Sequence, residues 1–362
     1  MERLHEDRLQ RLLDLMRRER IARLWVEPSV DFFYLTGIET ISLERLTGLL
    51  VAGSGELRLV VPDLLVDDFA GLADRAELTT WSDAEGPRRA VGHVLRDVDL
   101  LHVQGSLPMW SYKALREARG AVDIHVDPGF IGSLRQVKST EEINALRDSA
   151  RAADEVMRWV AEQEVGGVGE RILAGRIKAR YLEAGHDPGG ATLVASGPHS
   201  AAPHHIGDDT PIDTTQPLLT DFGGRVAGYW SDTTRVHFPA ERATDLEEAW
   251  DVVCAAYDAA FAAARVGTPC REVDRAAREV IDEAGYGDRF IHRTGHGIGL
   301  DLHEPPYITA TNELLLEVGH AFTIEPGIYL TGKWGLRHEN VVVLTEDGPE
   351  ALNASPRMHE LR

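Results

Sequence analysis

Four carboxylates of this chain stand where an unpaired charge is most costly. Asp221 in LLTDF, Asp232 in YWSDTTRVHF, Glu325 in AFTIEPGIYL and Glu339 in GLRHENVVVL each lie inside an apolar, β-like run near glycine. Burying such groups alone is strongly unfavourable, so the fold must bring them partners. The first two runs are separated by Gly223, Gly224 and Gly228. Because strand side chains alternate with period two, a hairpin turning near Val226 places Asp221 and Asp232 opposite each other on one face. A second hairpin turning near Gly332 sets Glu325 against Glu339 in the same way. Two ribbons then present two acid pairs, which repel unless protons or cations intervene. His296, in HRTGHGIG, adds one imidazole. An oxygen-rich set with a single nitrogen suits manganese, or else cobalt, iron or zinc, better than a thiolate-seeking metal. We expect Asp221, Asp232, His296, Glu325 and Glu339 to hold two divalent metal ions.

The rest of the chain frames that site. The first 130 residues or so alternate strand-like and helix-like runs, as in a self-contained α/β domain. Residues 2 to 20 carry Leu4, Leu9, Leu12, Leu13 and Leu15 among charges, an amphipathic helix. IARLWVEP, the run around FFYLTG, LTGLLVAG, ELRLVVPD, ELTTWS, VDLLHVQG and AVDIHVDP read as strands, with helices over DLLVDDFAGLADR and LPMWSYKALREARG. His102 and His125 occur singly in these strands and read as core or rim residues. Ser139 or Thr140 can cap a long helix, with Glu142 near the reciprocal position. That helix opens a second domain, so we expect domains at 1–135 and 136–362. In the second domain the order helix, helix, carboxylate hairpin occurs twice, a repeat of architecture rather than of letters, which predicts two pseudo-symmetric halves.

Composition removes several function classes. Lys and Arg number 38 against 59 Asp and Glu, a net charge of −21. Such a chain is unsuited to nucleic acid or an anionic membrane surface. No run of eighteen apolar residues occurs, and MERLHEDRLQRLL at the start is charged throughout. A cytoplasmic protein without a span or signal peptide is therefore expected. Cys254 and Cys270 lie far from any CxxC spacing and read as reduced and incidental.

At SGPHSAAPHH, DFGG, SDTTR, HRTGHGIGLDLHE, EPGIY and RHEN the sequence resembles the pita-bread metallopeptidases, family M24, which includes proline dipeptidase (prolidase), aminopeptidase P and methionine aminopeptidase. The preceding domain resembles the creatinase-like amino-terminal domain of the first two. The resemblance implies an α/β domain followed by an α+β pita-bread (creatinase/aminopeptidase) catalytic domain. It implies that Asp232 bridges the two metals, Asp221 joining it at the first and His296 belonging to the second. His204 would orient substrate or oxyanion, His303 would contact the scissile carbonyl, His292 would face the substrate, and Arg337 would hold a metal-ligating carboxylate. His199 and His205 read as structural or incidental loop histidines, and His338 as a packing or surface residue.

The same resemblance implies hydrolysis of the bond before a proline at the second position of a small peptide. A hydroxide shared by two metals about 3.5–4 Å apart would attack the carbonyl, with His303 stabilising the developing charge and Glu325 as general base and proton shuttle. A Xaa-Pro dipeptidase is the first reading, an aminopeptidase P acting on longer Xaa-Pro peptides the second, and a non-catalytic pita-bread peptide-binding module the third. A homodimer is implied, with one chain's amino-terminal domain near its neighbour's cleft.

Overall fold

A computed structural model describes residues 5–40, 44–120, 122–187 and 190–361. The chain forms two compact units, one ending at Arg135 and the other starting at Gln136.

The first unit is a six-stranded sheet with helices packed on it. Its strands are β1 (Arg23–Val26), β2 (Gly48–Ala52), β3 (Leu57–Pro62), β4 (Glu77–Trp81), β5 (Leu100–Gln104) and β6 (Asp123–Asp127), in the order β4-β3-β2-β1-β5-β6. The β1–β2 and β2–β3 pairs are antiparallel and the others parallel. Helix α1 (Glu6–Arg18) buries Leu9, Leu12 and Leu15, as its periodicity requires; Leu4 lies outside the described residues. The run around FFYLTG is not a strand. It is helix α2 (Val30–Thr36), capped by the Ser29 hydroxyl accepting from the Phe32 N–H at 3.2 Å and ended by Gly37 at φ 69°. Short apolar runs buried on all sides carry no decisive period, and the Ser and Gly at its ends set the outcome. The DLLVDDFAGLADR run winds as a 3-10 helix, Asp63–Leu72. Helices α3 (Arg88–Val94) and α4 (Met109–Arg119) and the short α5 (Gly132–Arg135) complete the unit.

The second unit is α+β and repeats itself. Helix α6 (Thr140–Ala161) begins with a capping box: the Ser139 hydroxyl accepts from the Glu142 N–H, and the Glu142 carboxylate accepts from the Ser139 N–H at 2.8 Å. Helix α7 (Glu170–Glu183) follows, then β7 (Ala191–Ser196), β8 (Leu218–Gly223), β9 (Arg225–Val226), β10 (Tyr229–Trp230) and β11 (Thr233–Phe238). The second pass runs α8 (Thr244–Ala263), α9 (Cys270–Glu283), β12 (Gly295–Gly297), β13 (Glu304–Ile308), β14 (Ala321–Ile324), β15 (Gly327–Leu330), β16 (Trp334–Arg337) and β17 (Asn340–Thr345). Strands β18 (Gly348–Ala351) and β19 (Met358–Glu360) close the chain.

The two passes share backbone detail that their letters hide. The N–H groups of Gly167, Glu170 and Arg171 donate to the carbonyls of Ile212, Thr210 and Asp208 at 2.9, 3.1 and 2.9 Å. One hundred positions later, those of Gly267, Cys270 and Arg271 donate to Leu316, Leu314 and Asn312 at 2.7, 2.9 and 2.9 Å. Each half packs its helix pair on its own sheet, β19-β11-β8-β7 in the first and β13-β12-β14-β17-β18 in the second. Among the described residues no helix is long and apolar enough to cross a membrane.

Candidate metal centre

The first hairpin carries two of the acids. Ala227 and Gly228, at φ 51° and 82°, form a two-residue tip between β9 and β10, where Val226 pairs with Tyr229 and Arg225 with Trp230. Positive φ at both tip positions is the backbone that such tight hairpins demand. The tip lies just past the midpoint between the two aspartates, so Asp221 pairs with Thr234 and Phe222 with Thr233. Asp232 falls one step further, across from Gly223. The aspartates are therefore diagonal neighbours and not directly opposite as the spacing implied. Shifting a partner by two keeps the side chain on the same face.

In the second hairpin Ile324 pairs with Asn340 and Gly327 with Arg337. Glu325 and Glu339 thus lie across from each other in the gap between the β14–β17 and β15–β16 ribbons. His296 is the middle residue of β12, between two glycines that let backbones close in. A Cβ on Gly295 would stand 1.9 Å from the Thr323 carbonyl oxygen, and one on Gly297 2.4 Å from that of Glu304. The His296 Nδ1–H donates to the Gly297 carbonyl at 3.1 Å. That bond fixes the tautomer and leaves Nε2 bare, 3.6 Å from Asp232 Oδ2 and 3.5 Å from Glu325 Oε1.

These donors fall into overlapping sets whose ligating atoms lie within 4.8 Å of one another: Asp221, Asp232 and Glu339; His296, Glu325 and Glu339; and Asp232, His296 and His303. They line a cavity of about 620 Å³ together with His204, His292 and Arg337. All nine residues singled out from the sequence meet at this one place. His303 lies beside His296, their ring centroids 4.0 Å apart.

Electrostatics marks the cluster as incomplete. Burial pushes the Asp232 and Glu339 carboxyls well above their usual range, and neighbouring carboxylates push further. Burial likewise lifts Glu325 to about 7. Burial holds His296 and His303 below the normal imidazole range. The Glu339 Oε1 atom is buried with no hydrogen-bond partner, the kind of orphan acceptor that native interiors avoid. Four carboxylates around one guanidinium, with an imidazole lone pair aimed inward, fit divalent cations.

A network that joins Arg337 to Thr234 and Tyr329 steadies the cluster. The Arg337 guanidinium donates to Asp221 Oδ2, to Thr234 Oγ1 at 3.0 Å and to the Tyr329 hydroxyl at 2.7 Å. Burial opposes its charge, but Tyr329 and the surrounding carboxylates outweigh that and hold it protonated. Thr234 passes the contact on, donating to Glu339 Oε2 at 2.6 Å. Tyr329 in turn donates to His292 Nε2 at 2.8 Å, while the His292 Nδ1–H donates to the Arg293 carbonyl at 2.7 Å. Burial, aided by Arg337, lowers His292 to about 3, so it faces the cavity neutral. Tyr329 could have been found as the next polar side chain after Glu325, whereas Thr234 needed the register of the first hairpin.

Behind His204 stands a second missed group. Glu170, fully buried at the start of α7, accepts from the Ser196 N–H at 2.7 Å, His199 Nδ1 at 3.1 Å, His205 Nε2 at 2.8 Å and the Asp208 N–H at 3.4 Å. The loop carrying His204 is thereby wrapped around one carboxylate. His199 and His205 have a structural part in it, and His338 is buried, edge-on to Tyr257 at 4.6 Å between ring centroids.

The chain matches known families along most of its length. Residues 144–346 match the model of metallopeptidase family M24, and residues 8–147 that of the creatinase/prolidase N-terminal domain. The chain is 38% identical to a probable dipeptidase PepE of Mycobacterium tuberculosis, over 94% of this chain and 92% of that protein. It is 29% identical to a Xaa-Pro dipeptidase of Pyrococcus furiosus, over 97% and 99% of the two chains. A recombinant prolidase from Thermococcus sibiricus superposes with a TM-score of 0.93 at 31% identity, covering 99% of each.

Proposed function

Since the chain belongs to metallopeptidase family M24, we propose that it is a metal-dependent dipeptidase that hydrolyses the Xaa-Pro bond of dipeptides. The observation that carries this reading is the convergence of Asp221, Asp232, His296, Glu325 and Glu339 around a buried, unpartnered Glu339 oxygen. Those five residues would hold two divalent ions. When bound, such ions lower the pKa of water toward neutrality and polarise a carbonyl. Manganese is our choice, because four carboxylates with one imidazole make a hard donor set. A homodimer, from the family resemblance, and a cytoplasmic setting, from the charged amino-terminal run, belong to the same reading.

The chain's own residues supply the remaining roles. Glu325, whose carboxylate lines the cavity beside His296, would take a proton from water and deliver it to the leaving nitrogen. That nitrogen needs a delivered proton to leave as the neutral amine, as any amide nitrogen does. His303 stands at the mouth to donate to the carbonyl oxygen as charge develops on it. His204 faces the same cavity from the loop held by Glu170, and His292, its ring fixed by Tyr329 and the Arg293 carbonyl, presents that ring to the substrate. Arg337 holds Asp221 in its ligating position.

The test is a paired assay with manganese-loaded protein, following proline release from Ala-Pro and alanine release from Ala-Pro-Xaa. Cleavage of the dipeptide alone is expected. Cleavage of the longer peptide would assign aminopeptidase P activity, and no cleavage of either by the metal-bound protein would leave a peptide-binding module.

A further inference from the structure

The amino-terminal unit carries a constellation that the strand-by-strand reading separated. His102 and His125 are register partners on the adjacent parallel strands β5 and β6, and Asp127 shares their face two residues beyond His125. The imidazole centroids lie 5.2 Å apart at 55°. The Asp127 carboxylate divides itself between them: Oδ2 meets His102 Nδ1, and Oδ1 stands 3.3 Å from His125 Nε2. One ligating atom from each of the three lies within 4.8 Å of the others. The His102 and Asp127 side chains are only 15% and 22% exposed, while His125 is 63% exposed, so the cluster has a sheltered floor and an open side.

From this arrangement we infer that His102, His125 and Asp127 form a separate mononuclear site for zinc, or for nickel or copper of the same ligand preference. Partly exposed His–Asp contacts contribute little to stability, which gives no reason for three such groups to converge on one face. Metal–ligand bonds of about 2.0–2.2 Å need only a small inward movement of donors already this close. Water completes the coordination on the open side. Two imidazoles and one carboxylate favour zinc, nickel and copper over manganese, which sets the site apart from the acid-rich centre of the second unit. Only a neutral imidazole can ligate a metal, so occupancy falls as pH falls.

The test counts metal on the full-length protein. Wild type and the His102→Ala/His125→Ala double variant are equilibrated with Zn²⁺ near pH 7.5, freed of excess ion on a sizing column and assayed for zinc per chain. Wild type is expected to retain one equivalent more, with Ala-Pro hydrolysis of the manganese-loaded proteins unchanged. With Mn²⁺ as the only ion the two counts should agree. Equal zinc counts, or an excess that Mn²⁺ reproduces, overturn the inference. Should the double variant fail to fold, His125→Ala alone, which removes the most exposed ligand, decides the matter: its zinc affinity at this site should fall more than about tenfold, and an unchanged affinity is a refutation. The readout is a difference between two proteins, so it stands whatever the other centre holds.

Discussion

Two groups of buried acid lie close together in the second unit, and they are satisfied in opposite ways. Glu170 is fully enclosed, yet its two oxygens receive N–H groups from Ser196, Asp208, His199 and His205. Asp232 and Glu339 are buried and Glu325 partly so, but they face one another, and Glu339 keeps one oxygen with no donor at all. The difference is instructive. Burial of a carboxylate says only that its charge must be answered, and whether the protein itself answers it separates a brace from a cation site. Glu170 is complete as folded, whereas the three others are complete only with ions or protons.

The largest effect should come from removing a ligand on the incomplete side. Asp232→Asn keeps the shape but weakens a carboxylate shared by two of the donor sets. Ala-Pro hydrolysis should fall to background, with at least one manganese lost per chain by elemental analysis. An active variant with full metal content would break the contrast at its centre. Next comes His303→Ala, which touches the cavity mouth and leaves the carboxylates alone. Here kcat should drop by roughly 10²–10³, the usual consequence of deleting one donor to a developing oxyanion, while metal content holds. An unchanged rate would remove His303 from its role.

A smaller loss tests the complete side. In Glu170→Gln one acceptor oxygen becomes an NH₂ that opposes the donors around it, so the His204 loop loses its fixed point. A misplacement of about 1 Å in a positioned group costs on the order of 10²-fold, so kcat should fall by about ten- to a hundredfold with little change in KM. Metal content should be that of wild type. Loss of metal would show that Glu170 belongs to the cation site after all, and the division drawn between the two groups would be wrong.

How far the sequence carries depends on what kind of signal each residue leaves. The acid pairs were legible because period-two patterning fixes faces, and a one-residue shift of the tip moves Asp221 from Asp232 to Thr234 without changing face. Direct opposition was not legible, because the turn type depends on φ at Ala227 and Gly228. Glu170 left no trace: it lies 26 positions from Ser196 and 35 from His205, and only folding brings these together. His102 and His125 were readable as strand residues but not as neighbours, since parallel register is set by the intervening helix and not by a turn. The FFYLTG helix is masked in the sequence because its apolar run outweighs the Ser29 and Gly37 signals at its ends.

The smallest effect concerns a third buried acid, in the amino-terminal unit. Glu27 is 1% exposed and accepts from the Trp25 indole N–H at 2.9 Å and the Ser111 hydroxyl at 2.8 Å. It thus has two side-chain donors where Glu170 has two ring and two backbone N–H groups. Burial raises its carboxyl from 4.5 to about 7, and the two hydrogen bonds offset only part of that. The sign of the linkage follows. A folded-state pKa above the unfolded one means the neutral form is favoured by folding, so its contribution is full below about 4.5 and is lost as pH rises through about 7. The loss is bounded at about 3 kcal/mol by the size of the shift. Glu27→Gln is uncharged at every pH and should flatten that decline. Hydrogen exchange of β1 and β2 in the full chain, corrected for intrinsic rates, should show wild-type protection weakening from pH 5 to 8 and the variant's holding steady. Parallel pH profiles for the two proteins would mean that Glu27 stays ionised when buried, and that two donors suffice where Glu170 uses four.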